Sequence, residues 1–170
     1  TYYPVEFMAA LMTSVIDNTS KVAGYIYACK QMNIGILPPD VNESQMEFTV
    51  ENGKIRFAMA AIKSLGRPTI QAILKERREN GSFISMQDFV TRMSHALNRR
   101  AIENFVKAGA FDTFGHTRKS MMIVSESMLD SAIKHNKDSM TGQMSLFDFA
   151  AEEDKKAFEI RIPDVAEYTK

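Results

Sequence analysis

The sequence is poor in the features that define several classes of protein. Its 170 residues include one cysteine, Cys29, which excludes an internal disulfide and a cysteine-rich zinc site. Cys29 lies on an apolar helical stripe, so we expect a buried structural thiol. No apolar run approaches the ~20 residues that span a bilayer, and the first residues are not a basic, apolar leader. We therefore expect no membrane partner and a reducing, cytoplasmic setting.

The sequence also lacks a net charge, but its charges are unevenly distributed. Residues 1–53 contain 2 lysines and arginines against 6 aspartates and glutamates, residues 54–119 contain 13 against 5, and residues 120–170 contain 6 against 10. A basic centre between acidic flanks predicts a polyanionic partner for the middle segment. Charges spread over a solvated surface would give the same composition, so composition alone leaves both interpretations open.

Patterns typical of β-strands are scarce. Apolar and polar residues alternate at positions 46–50 and 54–59, and Asn52-Gly53 between them is a strong hairpin signal. Elsewhere prolines, capping residues and apolar residues at helical spacing predict helices. Their expected starts lie near Pro4, Asp17, Pro68, Ser85, Asn98 and Thr117. We therefore expect a mainly α fold, a helical bundle with one small β-hairpin at about residues 46–59.

A helix-hairpin-helix pattern occurs at Ala61-Ile62-Lys63-Ser64-Leu65-Gly66-Arg67-Pro68. Glycine lets the backbone turn tightly and approach a ligand without an intervening Cβ. The free N–H groups of the helix that follows would face a phosphate oxygen. Such contacts read no bases, so binding would be independent of base sequence and sensitive to salt. The candidate phosphate-binding residues of this hairpin are Lys63, Ser64, Leu65, Gly66, Arg67 and Thr69.

Two residues depart from this pattern. Ser64 stands where the tighter form of the motif has a second glycine, and Pro68 removes one N–H donor. The alternative is a plain helix-turn-helix corner that carries surface lysine and arginine. Within the hairpin interpretation, Leu65 anchors the turn in the core while Lys63 and Arg67 reach neighbouring phosphates.

A degenerate second copy is predicted at Phe105-Val106-Lys107-Ala108-Gly109-Ala110, where the glycine is shifted by one position. Helix-hairpin-helix motifs often occur as packed pairs, so a second copy supports a tandem module. The candidate phosphate-binding residues of this half are Arg99, Arg100, Lys107 and Gly109. A role in packing alone is the favoured alternative for this copy.

A different motif, Gln143-Met144-Ser145-Leu146-Phe147, follows a glycine in a polar stretch. It resembles the peptide by which bacterial replication proteins bind their sliding clamp. Leu146 and Phe147 would fill a hydrophobic pocket on the ring, Gln143 would form a hydrogen bond beside it, and Met144 would cover the rim. The alternative is that the apolar side chains dock onto the local helices.

The ordered set of motifs resembles the bacterial DNA polymerase III alpha subunit, a family of C-family DNA polymerases. The resemblance begins with Tyr3-Pro4-Val5-Glu6-Phe7 and Leu37-Pro38-Pro39-Asp40-Val41 and continues through both hairpin motifs to the clamp peptide. It implies that residues 1–45 are the C-terminal part of the polymerase fingers. Residues 46–136 would form the β-hairpin and the tandem helix-hairpin-helix module, and residues 137–170 a linker that carries the clamp-binding motif.

The resemblance also implies a function for a longer protein, a DNA-directed DNA polymerase of the bacterial cytoplasm. Thr1 is not a methionine and the last residues are polar, so we expect this chain to be a piece of that protein. The palm aspartates that hold two Mg²⁺ ions would lie elsewhere. This sequence has no Asp-x-Asp and no histidine–carboxylate cluster at metal spacing, so we expect neither catalytic residues nor a cofactor here.

The resemblance predicts three kinds of partner. They are primer-template duplex DNA, the β sliding clamp, and the remaining polymerase domains with other replisome subunits. Two interpretations without polymerase activity remain as alternatives. One is a stand-alone duplex-binding protein, and the other is a clamp adaptor whose hairpins only pack.

Overall fold

The computed structural model describes residues 3–140 and 160–168, which are mainly helical. The α-helices are α1 (Pro4–Ser14), α2 (Thr19–Gln31), α3 (Arg67–Asn80), α4 (Met86–Met93), α5 (Arg99–Ala108) and α6 (Arg118–Met140). Single turns of 3-10 helix lie at Met59–Ala61 and Asp112–Phe114. The mainly α fold class is confirmed.

The β-strands form one small sheet in the order β1-β3-β2, with β1 at Ile36–Leu37, β2 at Thr49–Glu51 and β3 at Lys54–Arg56. Strands β2 and β3 are the expected antiparallel hairpin, and both turn residues, Asn52 and Gly53, have positive φ. Strand β1 was not expected. It pairs parallel to β3 and is two residues long, too short to show an alternating pattern.

The described residues form two adjacent hydrophobic cores. The smaller core joins α1, α2 and the sheet, and it contains the buried Cys29, whose pKa is raised by burial. The larger core joins α3, α4, α5 and α6 around a group of phenylalanines, Phe83, Phe89, Phe105 and Phe111. The sheet belongs to the smaller core, although the sequence placed the β-hairpin with residues 46–136. Phe57 and Ala60 pack against both cores.

Local capping explains where α2, α4 and α5 begin and where α5 ends. The side chains of Asn18, Ser85 and Asn98 accept hydrogen bonds from backbone N–H groups in the first turns of α2, α4 and α5. Gly109 ends α5 in the left-handed region, at φ 87°. The starts expected near Asp17, Ser85 and Asn98 are confirmed.

The loop at residues 40–44 connects the two cores. The side-chain amide of Asn42 donates to the Phe83 carbonyl at 2.9 Å and accepts from the Phe83 N–H at 2.8 Å. Arg77 of α3 donates to the carbonyls of Val41 and Ser44. Burial lowers the pKa of Arg77. The loop therefore fixes the sheet end of the protein against the helical module.

Residues 160–168 pack against the helices, although the sequence placed them in a linker. Ile160 and Ile162 contact the larger core, and the Ile160 N–H donates to the Gln87 side chain. The Glu167 carboxylate accepts hydrogen bonds from the backbone N–H groups of Arg118 and Lys119, at the start of α6. Hydrogen bonds from Arg118, Tyr168 and Lys119 hold the pKa of Glu167 below its usual range.

Candidate nucleic-acid interface

The first hairpin joins the 3-10 turn at Met59–Ala61 to helix α3. Ile62 and Leu65 are buried, and the Leu65 N–H donates to the Ile62 carbonyl. Leu65 therefore anchors the turn in the larger core, as the motif predicts. Lys63, Ser64, Gly66 and Arg67 are all exposed along the turn.

The tight bend of this hairpin lies at Ser64 rather than at Gly66. Ser64 has a φ of 60°, whereas Gly66 is extended, with φ −71° and ψ 144°. The expectation that Gly66 makes the turn is therefore wrong. A Cβ added to Gly66 would meet, among the described residues, only the Pro68 Cδ, at the ordinary contact distance of 3.7 Å. The fold does not require glycine here, and its missing side chain leaves the backbone open to solvent.

A second hairpin with the same layout lies between α4 and α5. Leu97 is buried to the same extent as Leu65, at 8% exposure, and Asn98 takes the extended N-cap position that Gly66 takes before α3. Arg99 then opens α5 as Arg67 opens α3. The second copy of the motif is thus at residues 94–98, and its predicted position at residues 105–110 is wrong. The prediction depended on a glycine, whereas Asn98 occupies this cap.

The residues singled out at 105–110 lie at the opposite end of α5, about 15 Å along the helix axis from its start. Lys107 is exposed there. Gly109 is buried, and its N–H donates to the carbonyls of Phe105 and Val106. A Cβ on Gly109 would lie 2.5 Å from Arg118 Nη2, so this glycine serves helix termination and packing. Phosphate contacts at Lys107 and Gly109 stay predictions, separate from the two hairpins.

The two hairpins are held together by reciprocal hydrogen bonds. Asn104 of α5 donates its side-chain N–H to the Lys63 carbonyl in the first hairpin, at 2.7 Å. The Thr69 hydroxyl of α3 donates to the Ala96 carbonyl in the second hairpin, at 3.3 Å. Each hairpin is therefore braced by the helix that follows the other, which makes the pair one unit.

Cations occupy the first helical position after both hairpins. Arg67 lies 3.4 Å from Asp17, and Arg99 lies 2.9 Å from Glu103 and 2.8 Å from Glu126. Hydrogen bonding to Glu103, with the nearby Glu126 charge, raises the pKa of Arg99. A cation at this position opposes the helix dipole, so helix stability does not explain either arginine.

Lys63 and Arg100 complete the exposed cations of this surface. Neither forms an ion pair within residues 3–140 and 160–168. We call Lys63, Arg67, Arg99 and Arg100 the hairpin cations. Their side chains project from two adjacent turns on one braced unit, which is an arrangement suited to successive phosphates of a nucleic acid backbone.

Several other expectations concern residues or groups away from the hairpins. The predicted clamp-binding residues, Gln143, Met144, Ser145, Leu146 and Phe147, lie outside the described residues. In the part of the chain that the structure describes, histidines, cysteines and carboxylates form no cluster of three or more suited to a metal ion. No helix in that part is both long and apolar enough to cross a membrane.

Comparisons with known proteins agree with this geometry. Residues 33–121 match the family described as helix-hairpin-helix motif, a span that contains both hairpins. The chain is 40% identical over 146 residues to DNA polymerase III subunit alpha of Saccharopolyspora erythraea, covering 85% of this chain and 12% of that protein. It is 36% identical over 166 residues to the Mycobacterium tuberculosis subunit, covering 95% and 14%. The Escherichia coli K12 subunit is 40% identical over 154 residues, covering 89% and 13%.

These coverages mean that the chain spans less than one sixth of the length of the curated relatives it matches. The match nevertheless extends over most of this chain, including the elements on both sides of the hairpins. The chain belongs to the helix-hairpin-helix family, and its sequence is similar to a limited part of bacterial DNA polymerase III alpha subunits.

Proposed function

We propose that the paired hairpins bind duplex DNA through its phosphates, without base recognition, within a bacterial replicative DNA polymerase. The observation that carries this proposal is the repetition of one layout on a braced unit. In each copy a buried leucine is followed by an extended N-cap and an exposed arginine at the start of a helix. Two such turns side by side would contact neighbouring phosphates along a duplex.

The first hairpin is proposed as the stronger of the two. The first N–H groups of any helix lack partners within the helix. In α5 the Asn98 side chain accepts the N–H of Ala101, the third residue. Among the residues that the structure describes, no side chain caps α3 at Gly66. The equivalent N–H, that of Thr69, is therefore available to a phosphate oxygen. Gly66 lets that oxygen approach, although Pro68 contributes no donor.

The test is duplex binding by the whole chain as a function of salt, with Lys63→Ala and Arg67→Ala combined. Removing two phosphate contacts should weaken binding and reduce the slope of log K against log salt by roughly 1.8, with no change in sequence preference. The matched control is Lys21→Ala with Lys30→Ala, which removes two exposed cations from α2. An unchanged slope in the hairpin variant, or an equal change in the control, contradicts the proposal.

A second proposed function is attachment to a sliding clamp through residues 143–147. Its support is the pattern Gln-x-x-Leu-Phe together with the similarity of the chain to DNA polymerase III alpha subunits. Leu146 and Phe147 would be the apolar anchors and Gln143 the polar one. Met144 and Ser145 would lie between these anchors.

Binding to a purified bacterial sliding clamp tests this function. Leu146→Ala with Phe147→Ala should cost more than about 2 kcal/mol of binding free energy, as hot-spot anchors do. Ile84→Ala is the control, since it removes another strongly exposed apolar side chain, at 84% exposure. If the unsubstituted chain does not bind the clamp, the peptide has no such role and duplex binding remains.

Nucleotide transfer is proposed only for the longer protein. There, aspartates outside this stretch would hold the Mg²⁺ ions, and this chain would position the primer-template duplex and the replisome partners. The chain alone should therefore incorporate no nucleotide on a primer-template in the presence of Mg²⁺. Duplex binding that falls steeply with salt would exclude a clamp adaptor that never touches DNA.

A further inference from the structure

Both arginines that open the hairpin helices have carboxylate partners from outside the hairpin pair. Asp17, between α1 and α2, pairs with Arg67 at 3.4 Å. Glu126 of α6 pairs with Arg99 at 2.8 Å, in addition to Glu103 on α5 itself. The side chains remain accessible, with exposures of 54% and 58% for Arg67 and Arg99. These pairs can therefore open without unfolding any element.

We propose that Asp17 and Glu126 weaken duplex binding by competing with DNA phosphates for Arg67 and Arg99. This inference rests on the proposed duplex-binding function and adds a control of its strength. A guanidinium offers the same planar set of donors to a carboxylate and to a phosphate, so it serves one fully only by leaving the other.

A weakened contact suits a protein that holds a duplex of any sequence. Binding through phosphates alone allows movement along the duplex, provided that individual contacts exchange easily. Exposed ion pairs are weak and break readily, so they lower the affinity without abolishing it. Two carboxylates supplied by different elements would set the grip of each hairpin separately.

The structure supplies a matched control in α6. Arg118 also occupies the first position of a helix and also pairs with a carboxylate, Asp112 Oδ2, at 2.7 Å. This pair lies outside both hairpins. If the carboxylates serve only to offset a cation at a helix start, Asp112 has the same role as Asp17 and Glu126. If they compete with phosphate at the two hairpins, Asp17 and Glu126 affect DNA binding more than Asp112 does.

The experiment measures the Kd of the whole chain for a duplex oligonucleotide at one low salt concentration. Asp17→Asn and Glu126→Gln should each tighten binding roughly two- to fivefold, the range expected for releasing an exposed ion pair. The effect of Glu126→Gln should be the smaller, because Arg99 keeps Glu103. Asp112→Asn, which adds the same charge, should change the Kd less than either of them.

A double-variant cycle identifies the partner of each carboxylate. In an Arg67→Ala background, Asp17→Asn should no longer tighten binding, because the arginine it restrains is gone. Urea unfolding of each variant verifies that the fold is retained. Equal tightening by Asp112→Asn, or tightening that persists without Arg67, overturns the inference in favour of a net-charge effect.

Failure of this inference is distinguishable from failure of the proposed function. If the unsubstituted chain binds duplex and the Lys63/Arg67 variant binds less, unchanged Kd values for Asp17→Asn and Glu126→Gln overturn the inference alone. If the unsubstituted chain does not bind duplex at low salt, the proposed function and the inference are both overturned.

Discussion

Replacing Gly66 by alanine should separate DNA binding from folding. The backbone at Gly66, with φ −71° and ψ 144°, suits alanine, and the new methyl group meets Pro68 Cδ at an ordinary 3.7 Å. Loss of glycine from the unfolded chain stabilises the protein by about 0.4–1 kcal/mol. Alanine is a poorer N-cap than glycine, at a cost of about 0.5–1 kcal/mol. The free energy of unfolding should therefore stay within about 0.5 kcal/mol of the original value.

The same methyl group should impair DNA binding. It would stand over the backbone that a phosphate must approach to reach the N–H groups at the start of α3. A hydrogen bond to a charged group contributes about 1.5–3 kcal/mol. Losing one should raise the Kd for duplex DNA roughly tenfold or more. Fluorescence anisotropy with a labelled duplex measures the Kd, and urea unfolding followed by circular dichroism measures stability.

Gly109→Ala is the control in which stability, rather than DNA binding, should change most. Alanine at φ 87° costs about 1–2 kcal/mol, and a Cβ only 2.5 Å from Arg118 Nη2 forces the exposed Arg118–Asp112 ion pair to move. This variant should lose stability while its Kd changes less than that of Gly66→Ala. An unchanged Kd in a folded Gly66→Ala variant refutes the reasoning, because no phosphate would then approach this backbone.

Asn42→Ala should lower the free energy of unfolding by about 2–4 kcal/mol in urea, because the buried N–H and C=O of Phe83 both lose a partner. Asn42→Asp keeps only the acceptor, so its free energy of unfolding should lie between those of the unsubstituted chain and Asn42→Ala. Ser64→Gly should raise the Tm, since glycine relieves the φ of 60° at a gain of about 0.5–1 kcal/mol; an unchanged or lower Tm contradicts this. The hydrogen bond from Arg92 holds the pKa of Glu76 below its usual range. The Glu76–Arg92 pair therefore stabilises the fold fully above the ordinary carboxyl pKa, and this stabilisation is lost as the pH falls through the lowered pKa of Glu76. On acidification below about pH 4.5, the Glu76→Gln variant should therefore lose less free energy of unfolding than the unsubstituted chain. Equal losses in the two proteins would count against the ion pair.

Local signals made most of the helical framework predictable from the sequence. Asn98 and Gly109 bracket α5 because an asparagine side chain caps backbone N–H groups and glycine adopts the left-handed region without strain. The β-hairpin follows equally locally from Asn52-Gly53. Each of these features depends on residues a few positions apart, so no knowledge of the rest of the fold was needed.

The features that could not be predicted from the sequence depend on contacts between distant residues. Strand β1 exists because Ile36–Leu37 pair with β3, which lies beyond an intervening loop and strand β2. The second hairpin was misplaced because its equivalence to the first is one of position in space. It becomes visible in the bonds from Asn104 to Lys63 and from Thr69 to Ala96. The second hairpin has asparagine where the first has glycine, so the two share only a buried leucine, an N-cap and an arginine.

The hairpin residues that folding does not explain are those that a phosphate would explain. Leu65 and Leu97 anchor the turns, and their burial accounts for them. Gly66 occupies a backbone conformation open to other residues, with space for a side chain. Arg67 and Arg99 each oppose the dipole of the helix they open. A phosphate bound at the two turns would explain Gly66, Arg67 and Arg99, because it needs an unobstructed backbone and is attracted by each cation. Gly109, at the other end of α5, shows the contrasting case of a glycine that helix termination and packing explain.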